Sequence, residues 1–426
     1  MDVLERLSPF MKRAGIVEVG RDRLHQVKNK LQFLLVTEDA SANSLAQMLR
    51  DFDCPVYKAL TMNDVERFFG YRGTKIIGFR RHPLSNELQA ALKPYLVRAL
   101  QPLPQHPRVA LFGASGIGRH HANWWTLEGA EVVAFLGSSA DSVARTAGML
   151  HESFGFAGKG YTSAEELFAE IHPDIVDVCL PPPMHYQACL QALKADCHVL
   201  CEKPFVYDDT LPPDTLRAHG QEIQRLAERK GLRLGVCTQY VMAAREILAL
   251  WRESHPEEKL ESFAGNLVSP TRNRPPVPQW TWVDLAPHML GVAQVLSGCG
   301  TLVESSIKRQ FKDHLACADF ECLRRDGTKL SCNIRTFHTD EPPSNVRQIV
   351  LNGALYDIGG FKDENGVFQM AITTPEGVAH RPDMLRLLIR SYLAGKIEVP
   401  PAMANQNLDW LLKTMDNTSS DSSDLA

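Results

Sequence analysis

Three short stretches of this chain hold the residue types that a proton-coupled hydride transfer requires. The first is Glu202-Lys203-Pro204, at the end of the apolar run His198-Val199-Leu200-Cys201. A lysine delivered at the carboxyl end of a parallel strand lands in the crevice where such sheets bind ligands. Its ammonium can hold a substrate oxygen and stabilise negative charge developing on it. The second is Asp284-Leu285-Ala286-Pro287-His288. Oxidising an alcohol needs a base to accept the hydroxyl proton as hydride leaves, and an imidazole titrates near neutrality. Asp284 precedes His288 by four residues, so on a helix the two share a face and the carboxylate can orient the ring and stabilise its charged form. Alone, such a spacing reads first as a solvated surface pair. The third stretch is Gly113-Ala114-Ser115-Gly116-Ile117-Gly118, directly after Val109-Ala110-Leu111-Phe112. Glycines let backbone approach phosphates, and a following helix N-terminus aims N–H groups at them, which describes a dinucleotide pyrophosphate site.

These residues need a scaffold, and the pattern of the chain supplies one. From Arg108 the sequence alternates strand and helix: Glu131–Leu136, Asp174–Leu180, the strand ending at Glu202 and Arg233–Cys237 are the apolar strands between helical stretches. This alternation predicts a doubly wound parallel sheet. After about residue 245 the pattern changes to long alternating runs around Asp326-Gly327 and Asn352-Gly353, tight-hairpin signals that predict a mostly antiparallel sheet. Met384–Ala394 reads as a closing helix. Ahead of all this, three prolines in Gln101–Pro107 mark an extended connector. The block before it reads as strands at Leu31–Val36, Pro55–Lys58 and Lys75–Phe79, with helices after Ser41 and Thr61. The fold class is therefore α/β. A small α/β sandwich covers 1–100 and a linker 101–107; a dinucleotide-binding domain covers 108–244 and an α+β substrate and oligomerisation domain 245–412. A polar tail, expected to be disordered, covers 413–426.

Four motifs in order, Gly113 to His121, Leu180-Pro181-Pro182-Pro183-Met184-His185, Glu202-Lys203-Pro204 and Asp284 to His288, make residues 107–412 resemble the Gfo/Idh/MocA oxidoreductases. The resemblance implies an NAD(P)-dependent enzyme with a Rossmann domain followed by an open, mostly antiparallel sheet. It implies hydride transfer between nicotinamide and a hydroxyl or carbonyl carbon of a small substrate, sugar-like or another polyol or cyclic compound. Lys203, Asp284 and His288 are then the catalytic residues, and Pro204 follows a cis peptide. The cofactor would be held by Gly113, Ser115, Gly116, Ile117, Gly118, Ser138, Ser139, Pro181, His185, Glu202, Lys203 and Gln239, with Tyr240 facing substrate. The open sheet face packs against a second subunit in this family, which implies a homo-oligomer. His121 matches a family position and reads as packing.

Several residues depart from the family pattern. Ser115 replaces a glycine of the turn, with Gly116 beside it. At the end of the second strand, where an acid reads the ribose hydroxyls, stand Gly137, Ser138 and Ser139. Losing the carboxylate removes repulsion of a 2′-phosphate and the hydroxyls can donate to it, so NADP is expected over NAD. Trp280 and Trp282 take the place of a glycine lead-in, either as walls of a flatter substrate pocket or as core aromatics. Arg272 and Arg274, in a proline-rich loop, read as a grip for an anionic substrate group or as a solvated loop.

Residues 10–95 resemble the kink-turn-binding family of archaeal ribosomal proteins and small bacterial relatives. Leu34 to Ser41, the strand before Tyr57 and the helix ending at Phe69-Gly70 carry the likeness, and Gly20-Arg21-Asp22-Arg23 stands where RNA binders have their helix-start motif. RNA is thus a candidate partner, although the net charge of −4 does not by itself call for one. A slight excess of Lys and Arg in the first hundred residues, on an otherwise acidic chain, fits a separate partner for that end. Ten scattered cysteines without a C-x-x-C pair suggest a reducing compartment and no metal site. The start lacks an apolar signal segment and no run reaches membrane-spanning length, so a cytoplasmic protein is expected. Two other classes compete with an enzyme: a non-catalytic NAD(P)-binding sensor or scaffold, and an RNA-associated protein led by the first domain.

Overall fold

The computed structural model describes residues 2–416, so most of the expected tail lies outside the described residues. The chain divides into two compact units, residues up to 102 with 222–233, and residues 103–221 with those from 234 on.

In the first unit a five-stranded sheet runs through Val17–Val19, Ile76–Arg80, Leu31–Val36, Val56–Lys58 and Leu96–Val97 in that spatial order. The central strand Leu31–Val36 is apolar except for Gln32 because both its faces are covered. Phe33 and Leu35 pack into one core with the helices Asp2–Arg13, Met62–Phe69 and Pro83–Leu92, and Leu34 and Val36 into another with Ala42–Asp51. Met62–Phe69 starts where the sequence places it: Thr61 and Asp64 form a reciprocal capping box, and Gly70 ends the helix in the left-handed region. The three inner strands agree with the sequence reading. The two edge strands are too short, at three and two residues, to leave a readable alternation.

Residues 222–233 correct the domain boundaries. They are the last turns of the helix Pro213–Lys230 and the turn after it, and sequence alternation assigns them wholly to the dinucleotide domain. In the structure they join the first unit: Lys58 Nζ lies 3.0 Å from Glu228 Oε1, and the Arg98 and Gln101 amides donate to the carbonyls of Glu228 and Gly231.

The second unit opens with six parallel strands, Arg108–Phe112, Glu131–Leu136, Lys159–Tyr161, Ile175–Val178, His198–Glu202 and Leu234–Cys237. Their spatial order is sixth, fifth, fourth, first, second, third. The direction of winding reverses between the first and fourth, which opens a crevice at their carboxyl ends. An eight-stranded sheet follows, antiparallel except where Ser262–Ser269 pairs in parallel with Lys329–His338. Asn352 and Gly353 both have positive φ, 46° and 88°, the geometry of a two-residue hairpin turn. The long helix Pro278–Ser297 packs across this sheet and carries Asp284 and His288. Two boundaries shift: the helix Tyr240–Ser254 spans position 244, and the final helix Pro401–Met415 runs past 412.

The strand Leu315–Leu323 alternates, with Ala318, Phe320 and Cys322 inward and Cys317, Asp319, Glu321 and Leu323 outward. Ile334 is fully buried on the inner face. The register decides this, because Ile334 pairs with Ala318. The outward face is polar beside Leu323: Lys329 pairs with Glu321, Asn333 with Asp319, and Arg335 with Asn266.

Candidate active site

The glycine turn sits at the end of Arg108–Phe112, at the reversal of the sheet. Gly113 has φ 87°, and a Cβ there would lie 2.9 Å from the Cys179 carbonyl oxygen. At Gly118 a Cβ would come within 1.9 Å of the Gly113 carbonyl oxygen, so only glycine lets the helix Ile117–Leu127 start this close to the strand. Gly116, at φ 58°, caps that helix, with Ser115 and Ile117 exposed beside it. Bare backbone at a helix N-terminus is a cradle that fits a pyrophosphate. At the next strand end, a Cβ on Gly137 would meet Val143 Cγ2 at 2.9 Å, so a side chain there would have to displace Val143. Ser139 caps the helix Ala140–Phe154, and Ser138 is exposed next to it.

His185 differs from expectation. It is buried, and its ring nitrogens lie 2.9 Å from the Pro204 carbonyl oxygen and 2.7 Å from that of Leu180. It therefore ties the turn at Pro181 to the loop after Lys203, and its ring has no free polar atom for a cofactor. The Lys203–Pro204 peptide is cis.

Behind Lys203 lies a buried charge cluster. His121 Nδ1 is 2.8 Å from Asp177 Oδ2, and Nε2 is 3.0 Å from Glu202 Oε1. Trp125 Nε1 also donates to Asp177 Oδ2, and the Lys203 amide donates to Glu202 Oε2. Burial works against a charged His121, but the Asp177 carboxylate outweighs it and holds the ring's pKa well above its usual value. Burial likewise opposes the Glu202 carboxylate, yet the hydrogen bond and charge of His121 bring its pKa down to about 2. His121 is thus buried away from the cavity lining, and within the core it sits between two buried acids. His121 lies close enough to Asp177 and Cys179, and separately to Glu202 and Cys237, for either trio to group around a metal. Both imidazole nitrogens, however, are aimed at carboxylate oxygens at hydrogen-bond distance, so an imidazolium accounts for the arrangement.

In front of the cluster is a cavity of about 420 Å³, lined in part by Ile117, Glu202, Lys203, Gln239, Tyr240, Asp284 and His288. Lys203 Nζ donates to Asp284 Oδ1 at 3.1 Å and to its carbonyl oxygen at 2.7 Å. Asp284 Oδ2 accepts from Arg274 at 2.5 Å and lies 3.2 Å from His338 Nε2. Burial disfavours the Asp284 carboxylate, but Lys203, His338 and Arg274 hold its pKa far below the normal range. The predicted Asp284–His288 pair does not form, because partners from outside the helix occupy the carboxylate. His288 Nδ1 is instead buried without a hydrogen-bond partner, and its ring packs 4.8 Å from that of Tyr240. Burial, then the charges of Lys203 and Arg347, push His288 down to about 3, so the ring is neutral.

The two tryptophans, read from sequence as pocket walls or core aromatics, part company. Trp282 is fully buried, its Nε1 bonded to Thr414 Oγ1 at 3.0 Å. Two residues from Asp284, it lies about 200° round the helix from it. Trp280 is 44 % exposed and lies outside the cavity lining.

Residues 107–238 match the oxidoreductase family with an NAD-binding Rossmann fold, Gfo/Idh/MocA. The match covers less than half of the chain and is a likeness of this segment. Curated relatives match the chain over short stretches: a D-glucoside 3-dehydrogenase of Escherichia coli K12 is 37% identical over 99 residues, 23% of this chain and 27% of the relative. A 1,5-anhydro-D-fructose reductase of Ensifer adhaerens is 35% identical over 102 residues, 23% of this chain and 28% of the relative. The chain thus matches about a quarter of the length of these relatives. The fold extends further. A UDP-N-acetylglucosamine 3-dehydrogenase from Acidithiobacillus ferrooxidans superposes with a TM-score of 0.54 at 17% identity, over 73% of this chain and 97% of that one. A scyllo-inositol dehydrogenase from Lactobacillus casei does so at 0.53 and 13%, over 73% and 96%. The Rossmann sheet of the Gfo/Idh/MocA segment and the larger sheet after it are therefore one recurring architecture. Among the described residues, no helix is long and apolar enough to cross a membrane.

Residues that the sequence reading missed around the cavity are His338, Asn345 and Arg347. They come from the second sheet, far along the chain, and no local motif marks them.

Proposed function

We propose that the protein is an NAD(P)-dependent oxidoreductase that moves a hydride between nicotinamide and a hydroxyl or carbonyl carbon of a small sugar-like, polyol or cyclic substrate. The observation carrying this reading is the convergence of Lys203, Asp284, neutral His288 and Tyr240 on one cavity at the end of the Rossmann strands. Gly113, Ser115, Gly116, Ile117 and Gly118 would hold the pyrophosphate, Ser138 and Ser139 the adenosine ribose, and Gln239 and Pro181 would line the nicotinamide side. The bound cofactor supplies the hydride acceptor or donor. Lys203 donates to the substrate oxygen and offsets charge on it, with Asp284 fixing the direction of the ammonium. His288 takes the hydroxyl proton during oxidation and returns it during reduction. The test is a screen of sugars, sugar acids and inositols with both cofactors, read as cofactor absorbance. Tight cofactor binding without turnover on any of them would favour the sensor reading.

NADPH is expected to bind more tightly than NADH in a fluorescence titration, because Gly137 leaves no acid to repel a 2′-phosphate and the Ser138 and Ser139 hydroxyls stand beside a helix N-terminus. Equal or tighter NADH binding would remove that argument.

Assembly as a homodimer or tetramer through the outer face of the larger sheet, and a cytoplasmic setting, are part of this proposal. Light scattering at micromolar concentration is expected to give a multiple of 47.6 kDa; the monomer mass would refute it. A second reading, RNA contact by the first unit, rests on the kink-turn likeness and on Arg21, His25 and Lys75 around a groove of about 300 Å³ that also contains Gly20. Salt-dependent retention of a kink-turn RNA tests it.

A further inference from the structure

The charges around the active-site cavity do not balance within the protein. Four cationic side chains line it, Lys203, Arg272, Arg274 and Arg347, against two carboxylates, Glu202 and Asp284. Both carboxylates are committed. Glu202 is held by His121 and the Lys203 amide. Asp284 is shared by Lys203, Arg274 and His338.

Arg272 and Arg347 are left over. Among the described residues, neither guanidinium has a hydrogen bond or an ion pair to the protein. Arg347 is half-buried on the strand Val346–Leu351, opposite Leu267 of Ser262–Ser269, and it lines both the catalytic cavity and an adjoining one of about 620 Å³. The two cavities also share Ile117, Gln239 and Tyr240. Arg272 follows the Leu267 strand and is exposed at the mouth. A half-buried guanidinium without a hydrogen-bond partner costs desolvation, which the charge of Asp383 across the adjoining cavity offsets only without contact. Arginine's planar fork matches a carboxylate or a phosphate.

We propose that Arg347, assisted by Arg272, is a subsite for an anionic oxygen group of the substrate, a carboxylate or a phosphate, next to the reacting carbon. The proposal rests on the oxidoreductase reading for the identity of the neighbouring groups and adds the charge class of the substrate. Arg274, which the sequence offers equally for this role, is excluded because Asp284 already holds it. The location has a chemical consequence. Burial, Lys203 and Arg347 depress the His288 pKa, while Glu202 and Asp284 act the other way. An anion seated on Arg347 cancels one of the depressing charges, so substrate binding strengthens the base that serves it.

The test uses the full chain saturated with NADP+, so that the cofactor's own phosphate sites are filled. Inorganic phosphate and malonate are titrated separately by calorimetry into wild type, Arg347→Gln and Arg272→Gln. At least one probe is expected to bind wild type and to bind Arg347→Gln about tenfold more weakly, the scale of a lost charge-assisted hydrogen bond. Arg272→Gln, exposed and so safe for folding, is expected to show a smaller loss. Binding of phosphate alone assigns a phosphoryl group, and binding of malonate alone a carboxylate. No binding to wild type, or equal binding to wild type and both variants, overturns the subsite. NADPH affinity of the variants is expected to match wild type; a parallel loss would mean that the arginines serve the cofactor and would also overturn it. In the activity arm, D-glucuronate and D-glucose 6-phosphate are compared with D-glucose. Anion binding without cofactor reduction on any of them leaves the subsite standing and counts against hydride transfer alone.

Discussion

Lys203→Ala is expected to lower kcat/KM on the true substrate roughly 100-fold or more, the usual cost of removing one donor aimed at developing negative charge. NADPH affinity is expected to stay nearly unchanged, because the ammonium is spent on Asp284 and the pyrophosphate would be held by the backbone of the glycine turn. His288→Ala should behave alike through loss of the base. Wild-type rates carry a further signature. Because His288 is held down to about 3, it stays in its basic, neutral form as the pH falls through the ordinary imidazole range. The acid limb of kcat/KM, which reports groups of the free enzyme, is therefore expected well below 6.5. Full activity of Lys203→Ala would end its assignment, and an acid limb at 6.5 would mean that His288 is solvated before substrate arrives.

The second large effect is on stability. His121→Ala leaves Asp177 and Glu202 as unpaired buried acids, and breaking such a pair typically costs about 3–5 kcal/mol. The pH dependence follows from both partners. Glu202 is lowered to about 2 from 4.5, so its contribution is present above 4.5 and is lost as the pH falls toward 2. His121 is raised above 6.5, so its contribution is complete below 6.5 and fades as the pH rises through the folded value. The pair therefore stabilises most between about 4.5 and 6.5, and His121→Ala should lose most in that window. Urea unfolding of the second unit at several pH values measures this. A variant as stable as wild type would show that the acids find other partners or protonate without cost. His121→Gln, which keeps a donor to one acid, is expected to recover part of the loss.

Much of this protein is legible along the chain because its signals are local. The glycine turn is legible since only glycine tolerates the positive φ of Gly113 and the 1.9 Å approach at Gly118. The hairpin at Asn352-Gly353 and the helix start at Thr61 are set by residues within four positions of each other. Lys203 at a strand end and the residues of the Asp284–His288 spacing line one cavity. What the spacing cannot carry is competition from distant partners. Asp284 turns from His288 to Lys203, Arg274 and His338, which reach it from 81, 10 and 54 positions away. Trp282 goes to the core because Thr414 waits there, and Ile334 faces inward because pairing with Ala318 sets its register. His121 becomes a buried cation only when two strands bring Asp177 and Glu202 to its two nitrogens. Motif and backbone chemistry are written in neighbouring residues. Charge pairing and side-chain direction belong to whichever groups the folded sheets bring within hydrogen-bond distance, and only the tertiary structure chooses them.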